Sequence, residues 1–164
     1  MAAYRGVALM LWSLAVYSAI SCRGLFWDGA SFLVNIIDLG GFHDFYTARA
    51  HVDWVTQAPV IAATWLGVRD LHVLSIVYSL SLFALPVGLY HLALARVRHD
   101  PVMLAIVTVI VAVVYLPTSF FIVGEYNAAF AAVTAAMAIA LSGWRRGDAV
   151  LLCALAFLCL RSYE

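Results

Sequence analysis

Residues 71–95 read LHVLSIVYSLSLFALPVGLYHLALA, an apolar segment without Asp, Glu, Lys or Arg. A membrane-crossing helix needs about 20 consecutive, predominantly apolar residues, and this segment is longer than that. Four further apolar segments, the last of them short, lie at residues 6–21, 102–123, 126–141 and 149–160. The sequence therefore predicts an all-α, polytopic transmembrane helix bundle with about five spans, formed as a single membrane domain over residues 1–164.

The composition of the whole chain agrees with that fold class. Of the 164 residues, 66% are hydrophobic and 11% are charged, and the mean hydropathy is +1.00. A soluble domain carries about 25% charged residues. The nine basic and nine acidic residues cancel, so no net charge attracts the chain to polyanions. We expect the lipid bilayer as a partner and no binding of nucleic acid.

The arginines predict the orientation of the bundle. Arg5 precedes the first span, Arg96 and Arg98 follow the second, and Arg145 and Arg146 follow the fourth. If the N-terminus is cytoplasmic, all five lie on the cytoplasmic side, as the positive-inside rule requires. We therefore predict an integral protein of the bacterial inner membrane with a cytoplasmic N-terminus. Residues 23–70 then form an outer loop.

This outer loop is far longer than a connection between two spans needs to be. Apolar residues at helical spacing predict an amphipathic helix that ends at Gly40 and Gly41: Phe26, Ala30, Leu33 and Ile37. A second helix is expected from about Tyr46 to Thr56. Pro59, three residues later, should break the helix there. The apolar residues 58–68 after that break predict a short interfacial or re-entrant helix.

Asp28 directly follows the first span, in the sequence FWDG of residues 26–29. A carboxylate at the membrane boundary can bind a divalent metal or act as a base. It can also simply cap the helix that follows, and spacing alone favours the cap. Arg49 likewise has one functional and one structural interpretation. Its guanidinium can hold a phosphate, or it can pair with Asp53 four residues later.

Several stretches of this loop and of the second span resemble one family. They are WDGA at 27–30, FYTAR at 45–49, HVDWVTQAP at 51–59 and the residues from Tyr78 to Pro86. Together they resemble the N-terminal part of membrane-embedded glycosyltransferases of the GT-C fold. The resemblance implies transfer of a sugar from a polyprenyl-phosphate donor, with Asp28 as catalytic base or metal ligand. It also implies that Arg49 holds the lipid phosphate, that Asp53 and Gln57 contribute to substrate binding, and that a divalent metal can be the cofactor.

The chain departs from the family in two ways. Gly29 follows Asp28 where many members have a second acidic residue, and members continue through many more spans. We therefore expect a fragment of a longer chain, or the alternative of a non-catalytic membrane subunit with a membrane-protein partner. Small residues at every fourth position predict a close-packing ridge, more readily within the bundle than between two copies: Ala128, Ala132, Ala136 and Ala140.

Acidic residues near the predicted outer face leave one more question open. Asp28, Glu125 and Glu164 all fall near that face on the chosen topology. They can ring a metal or a cationic substrate, or they can be three unrelated loop residues.

Overall fold

A computed structural model describes residues 2–43, 50–121 and 124–160 of the chain, and the regular elements in these ranges are all helical. The α-helices are α1 (Ala2–Ile20), α2 (Gly29–Leu39), α3 (Ala50–Trp65), α4 (Leu71–Val97), α5 (Pro101–Ile110), α6 (Leu116–Phe121), α7 (Glu125–Leu141) and α8 (Asp148–Cys159). A 3₁₀ turn covers Arg23–Leu25, and a π-helical turn, Val111–Tyr115, joins α5 to α6. The prediction of an all-α fold is confirmed.

Within the described ranges, three helices are long and apolar enough to cross a membrane. They are α1, α4 and the combined helix Pro101–Ser119, which includes the π-helical turn before Pro117. The helices α7 and α8 are apolar but shorter, with 17 and 12 residues. At 1.5 Å per residue they extend about 26 and 18 Å, against a hydrocarbon core of about 30 Å.

Helix α4 lies at the centre of the bundle. One of its faces carries Phe83, Val87 and Tyr90 into a core shared with Leu11 and Ala15 of α1 and with α7. Helix α1 runs antiparallel to α4, since Trp12 Nε1 donates to His91 Nδ1 at 2.9 Å while Gly24 contacts Ser79. The bundle thus has two ends: a cavity end, where α1 finishes and α4 begins, and an Arg96 end, where α4 finishes.

A second, smaller core lies at the cavity end and holds α2 and α3 against α4. Leu33 and Ile36 of α2 meet Val60 and Ile61 of α3, together with Leu74 and Tyr78 of α4. Gly40 ends α2 with a positive φ of 60°, a conformation that glycine adopts without strain. The predicted helix and its glycine stop are therefore confirmed. The predicted apolar face is confirmed only in part, because Leu33 is buried on protein while Phe26 lies before the helix and Ala30 is exposed.

The predicted break at Pro59 is wrong, because α3 runs unbroken from Ala50 to Trp65. A proline inside a helix removes one backbone N–H and disturbs the turn before it. In that turn the Ser81 hydroxyl of α4 donates to the Thr56 carbonyl at 2.6 Å. Pro59 leaves the Val55 carbonyl, four positions earlier, without its helical donor, and the Ser81 bond to the next carbonyl ties this weakened turn to α4. The expected separate helix at 58–68 is instead the second half of α3, and the expected start near Tyr46 lies outside the described residues.

The alanines of α7 pack within the bundle. Ala128, Ala131, Ala132 and Ala135 are buried, whereas Ala136 is half-buried and Ala140 is exposed. The buried face therefore follows the ordinary three- and four-residue helical spacing rather than the predicted strict spacing of four. Small side chains on this face let α7 approach α4 closely.

The Arg96 end is held by a buried ion pair. Arg96 Nη2 lies 2.5 Å from Asp148 Oδ2, and the two side chains are 7% and 2% exposed. Arg96 also donates to the Ser142 hydroxyl at 2.7 Å and to the Gly143 carbonyl at 2.6 Å. Asp148 accepts from the Arg145 backbone N–H at 2.7 Å. This network joins α4 to the connection between α7 and α8.

Candidate functional site

A cavity of about 100 Å³ opens at the cavity end, between α2, α3, α4 and the start of α7. Its polar side chains are Asp28, Asp53, Thr56 and Gln57, and Tyr78 belongs to its lining as well. The structure thus brings together three of the four site residues predicted from the sequence. The fourth, Arg49, lies outside the described residues, as does its suggested pairing with Asp53.

Asp28 occupies the N-cap position of α2 but does not act as a cap. Its side chain accepts no hydrogen bond from the first turn of α2, all of which is described. Its backbone is αR, with φ −77° and ψ −11°, where a capping residue is normally extended. Two other aspartates show the usual geometry: Asp70 accepts from the N–H groups of His72 and Val73, and Asp100 accepts from those of Val102 and Met103. The capping alternative therefore does not account for the Asp28 carboxylate, which is exposed at the mouth of the cavity.

Two glycines fix the position of Asp28. Gly24 packs against Ser79 of α4, and its N–H donates to the Ser79 hydroxyl at 3.0 Å. A Cβ atom on Gly29 would stand 1.8 Å from the Gly24 carbonyl oxygen. No other residue fits at Gly29 without moving the backbone, so the FWDG sequence turns tightly against α4.

Trp27 completes this turn in a left-handed conformation with φ 59°, although it is not a glycine. Such a conformation costs a non-glycine residue about 1–3 kcal/mol and is concentrated at functional sites. Its indole is 72% exposed beside the cavity mouth. The strained residue immediately before Asp28 marks this turn as one that the surrounding packing holds in place.

Asp53 reaches the cavity from the first turn of α3 and is half-buried. The neighbouring Thr56 hydroxyl is directed to the backbone, with donor–acceptor distances of 3.1 Å to the Val52 carbonyl and 3.2 Å to the Asp53 carbonyl. Asp28 and Asp53 therefore place two carboxylates on one cavity from two different helices. Such a pair suits general base chemistry together with the binding of hydroxyl groups.

Gln57 is only 2% exposed and holds a loop in place. Its Oε1 accepts from the His43 N–H at 2.8 Å, and its Nε2 donates to the His43 carbonyl at 2.9 Å. These two bonds satisfy both backbone groups of His43, which is the last described residue after α2. We therefore assign Gln57 to positioning the wall of the cavity, and its substrate-binding role stays a prediction.

Tyr78 is one of the cavity residues to which the sequence analysis gives no role. It is 4% exposed and packs in the smaller core while contributing to the cavity wall. An aromatic hydroxyl in an otherwise apolar span is a weak signal, because buried tyrosines are frequent in helix packing. Gly24 and Gly29 carried a clearer signal, since two glycines five residues apart flank the polar Asp28.

Within the described ranges, no group of three or more His, Cys, Asp and Glu side chains is arranged to hold a metal ion. Asp28 and Asp53 alone supply two carboxylates at one cavity. The Glu125 side chain and Glu164 lie outside what the structure describes, so the predicted ring with Asp28 stays a prediction.

Comparison with known proteins gives no relative for this chain. No protein family, no curated protein and no solved structure matches it.

Proposed function

We propose that the chain is a membrane-embedded glycosyltransferase of the GT-C kind, or the N-terminal part of one, that takes a sugar from a polyprenyl-phosphate donor. One observation carries this proposal: the Asp28 carboxylate stands at the mouth of a cavity that Asp53 also lines, and it is not used to cap α2. A carboxylate kept out of its usual structural role is available for chemistry.

In this proposal Asp28 is the catalytic base. It removes the proton from an acceptor hydroxyl, and the acceptor oxygen attacks the anomeric carbon of the donor sugar. The bond from that carbon to the phosphate oxygen breaks, and its electron pair leaves with the polyprenyl phosphate. The proton on Asp28 then passes to water. Asp53 binds sugar hydroxyls from the opposite wall, and Arg49 holds the phosphate.

The proposal includes a membrane topology. In it, α7 and α8 cross the membrane alongside the three longer helices, and the N-terminus lies in the bacterial cytoplasm. The distribution of polar groups along α4 supports it. Tyr78 at the cavity and Arg96 are 18 positions apart, about 27 Å along a helix and close to the thickness of the hydrocarbon core. The cavity then opens outward, and residues 23–70 form the outer loop. Alkaline phosphatase fused within residues 40–49 should be active, and fused at Gly143 it should be inactive.

The catalytic assignment is tested by sugar transfer from polyprenyl-phosphate donors in reconstituted vesicles. Asp28→Asn removes the basic carboxylate while keeping its shape, and we expect at least a hundredfold loss of turnover, since general base catalysis contributes about 10²–10⁴-fold. Asp70→Asn is the matched control. It makes the same chemical change at the same end of the bundle, at a carboxylate that caps α4, and asparagine caps equally well.

An unchanged rate in Asp28→Asn would overturn the catalytic role. The non-catalytic subunit is the correct alternative if, in addition, the wild-type chain transfers no sugar and co-purifies from detergent with another membrane protein in a fixed ratio.

A further inference from the structure

A second crevice of about 110 Å³ lies beside the Arg23–Leu25 turn. Leu14 and Ser18 of α1 form one wall, and Leu116 and Ser119 of α6 form the other. Phe83 of α4 and Tyr115 complete its lining. Arg23 stands at its polar end, just beyond the last turn of α1.

The crevice exists because α1 and the combined helix Pro101–Ser119 both pack on α4. Phe83, which is almost fully buried, lies between them on α4. The π-helical turn Val111–Tyr115 widens the third helix just before the crevice, and Tyr115 is its last residue. Turns of this kind inside α-helices are frequent at functional sites. Leu14 at the rim is 39% exposed, so the crevice is open to the surroundings of the bundle.

The chemistry of the lining specifies the ligand. Apart from the hydroxyls of Ser18, Tyr115 and Ser119 the walls are apolar, and none of the described lining residues is acidic. Arg23 follows a membrane-crossing helix by three residues and so lies at the depth of lipid head groups. A guanidinium presents paired N–H donors that match phosphate oxygens. Apolar walls that end at an arginine suit a molecule with a chain at one end and a phosphate at the other.

We propose that this crevice binds a membrane lipid with a phosphate head group, with the phosphate on Arg23 and the start of its chain between Leu14 and Leu116. The Ser18 hydroxyl lies along the same crevice, whereas the Ser119 hydroxyl donates to the Leu116 carbonyl at 3.2 Å. The site is separate from the Asp28 cavity, and it stands whether or not Asp28 catalyses sugar transfer.

Dodecyl phosphate, inorganic phosphate and dodecanol serve as probes, each titrated against the intact chain in neutral-detergent micelles. Binding is measured by the change in ³¹P linewidth and, for dodecanol, by competition with dodecyl phosphate. We expect dodecyl phosphate to bind at least tenfold more tightly than either inorganic phosphate or dodecanol, since neither carries both halves of the ligand. If inorganic phosphate binds as tightly as dodecyl phosphate, the crevice is a simple anion site and the lipid proposal is overturned.

Two variants test the two halves of the crevice. Arg23→Gln should weaken dodecyl phosphate binding about tenfold or more, because a hydrogen bond to a charged group contributes about 1.5–3 kcal/mol. Arg69→Gln is the control, since Arg69 is an exposed arginine at the same end that does not line the crevice. Leu14→Trp should weaken binding by filling the crevice at its exposed rim. If Arg23→Gln and Arg69→Gln bind dodecyl phosphate equally, the phosphate is not on Arg23 and the proposal fails.

Discussion

The two ends of α4 use their charged residues in opposite ways. At the Arg96 end, one guanidinium and one carboxylate are buried together, and the connection between α7 and α8 supplies them with three further hydrogen bonds. At the cavity end, Asp28 is exposed beside a cavity that Asp53 also lines, and the cap position it occupies goes unused. A buried charge is tolerated when its partners are complete. The charges at the Arg96 end therefore stabilise the fold, whereas the cavity end leaves a carboxylate exposed, as the proposed function requires.

The largest expected effect comes from breaking the complete network. Asp148→Asn leaves Arg96 buried without its counter-charge, and removal of one partner of a buried pair costs about 3–5 kcal/mol of unfolding free energy. Unfolding in mixed detergent micelles, followed by circular dichroism, measures this loss. The exposed Arg98 provides the control variant Arg98→Gln, which should change stability by less than about 0.5 kcal/mol. Equal stability of the two variants would show that the pair is not a structural anchor.

A smaller effect is expected at the glycine contact that positions Asp28. Gly29→Ala places a methyl group against the Gly24 carbonyl, and overpacking of this kind costs about 1–3 kcal/mol. Because the backbone has to move, activity or ligand binding at the cavity should fall with it. Gly88→Ala is the matched control, since no described atom lies within 4 Å of the added Cβ and alanine stabilises a helix interior by about 0.5–1 kcal/mol. A Gly29→Ala protein as stable as Gly88→Ala would contradict the tight turn.

The smallest effect sharpens the comparison between aspartates. Asp70→Ala removes a side chain that accepts from two N–H groups, and loss of an N-cap costs about 1 kcal/mol. Asp28→Ala removes a side chain that caps nothing in α2, and we expect less than about 0.5 kcal/mol. Parallel denaturation of the two variants in the same detergent measures the difference. Equal losses would mean that Asp28 is structural after all.

The sequence predicted those features that depend on local pattern. The helical class, the approximate positions of α1 and α4 and the end of α2 at Gly40 all follow from hydrophobic length, periodicity and glycine conformation. Asp28, Asp53 and Gln57, which the sequence predicts as site residues, line one cavity.

What the sequence did not predict depends on contacts between distant residues. Helix α3 runs through Pro59 while packed on α4, and the Ser81 hydroxyl that ties the turn before Pro59 to α4 lies 25 positions from the carbonyl it contacts. Arg96 and Asp148 are 52 positions apart, and neither has a local pattern that indicates the other. Asp28 and Asp70 both precede a helix in the sequence, but only Asp70 caps its helix, and the turn at Asp28 packs on α4 through Gly24 and Ser79.

The hydrogen bond from Ser81 to the Thr56 carbonyl also bears on how the chain is assembled. During synthesis α3 leaves the ribosome before α4, so the turn at Pro59 is made before the hydroxyl that completes it exists as part of a helix. The contacts that dock α3 on α4 therefore form only after α4 has been made. The cavity, whose walls come from both helices, is among the last parts of the protein to take shape.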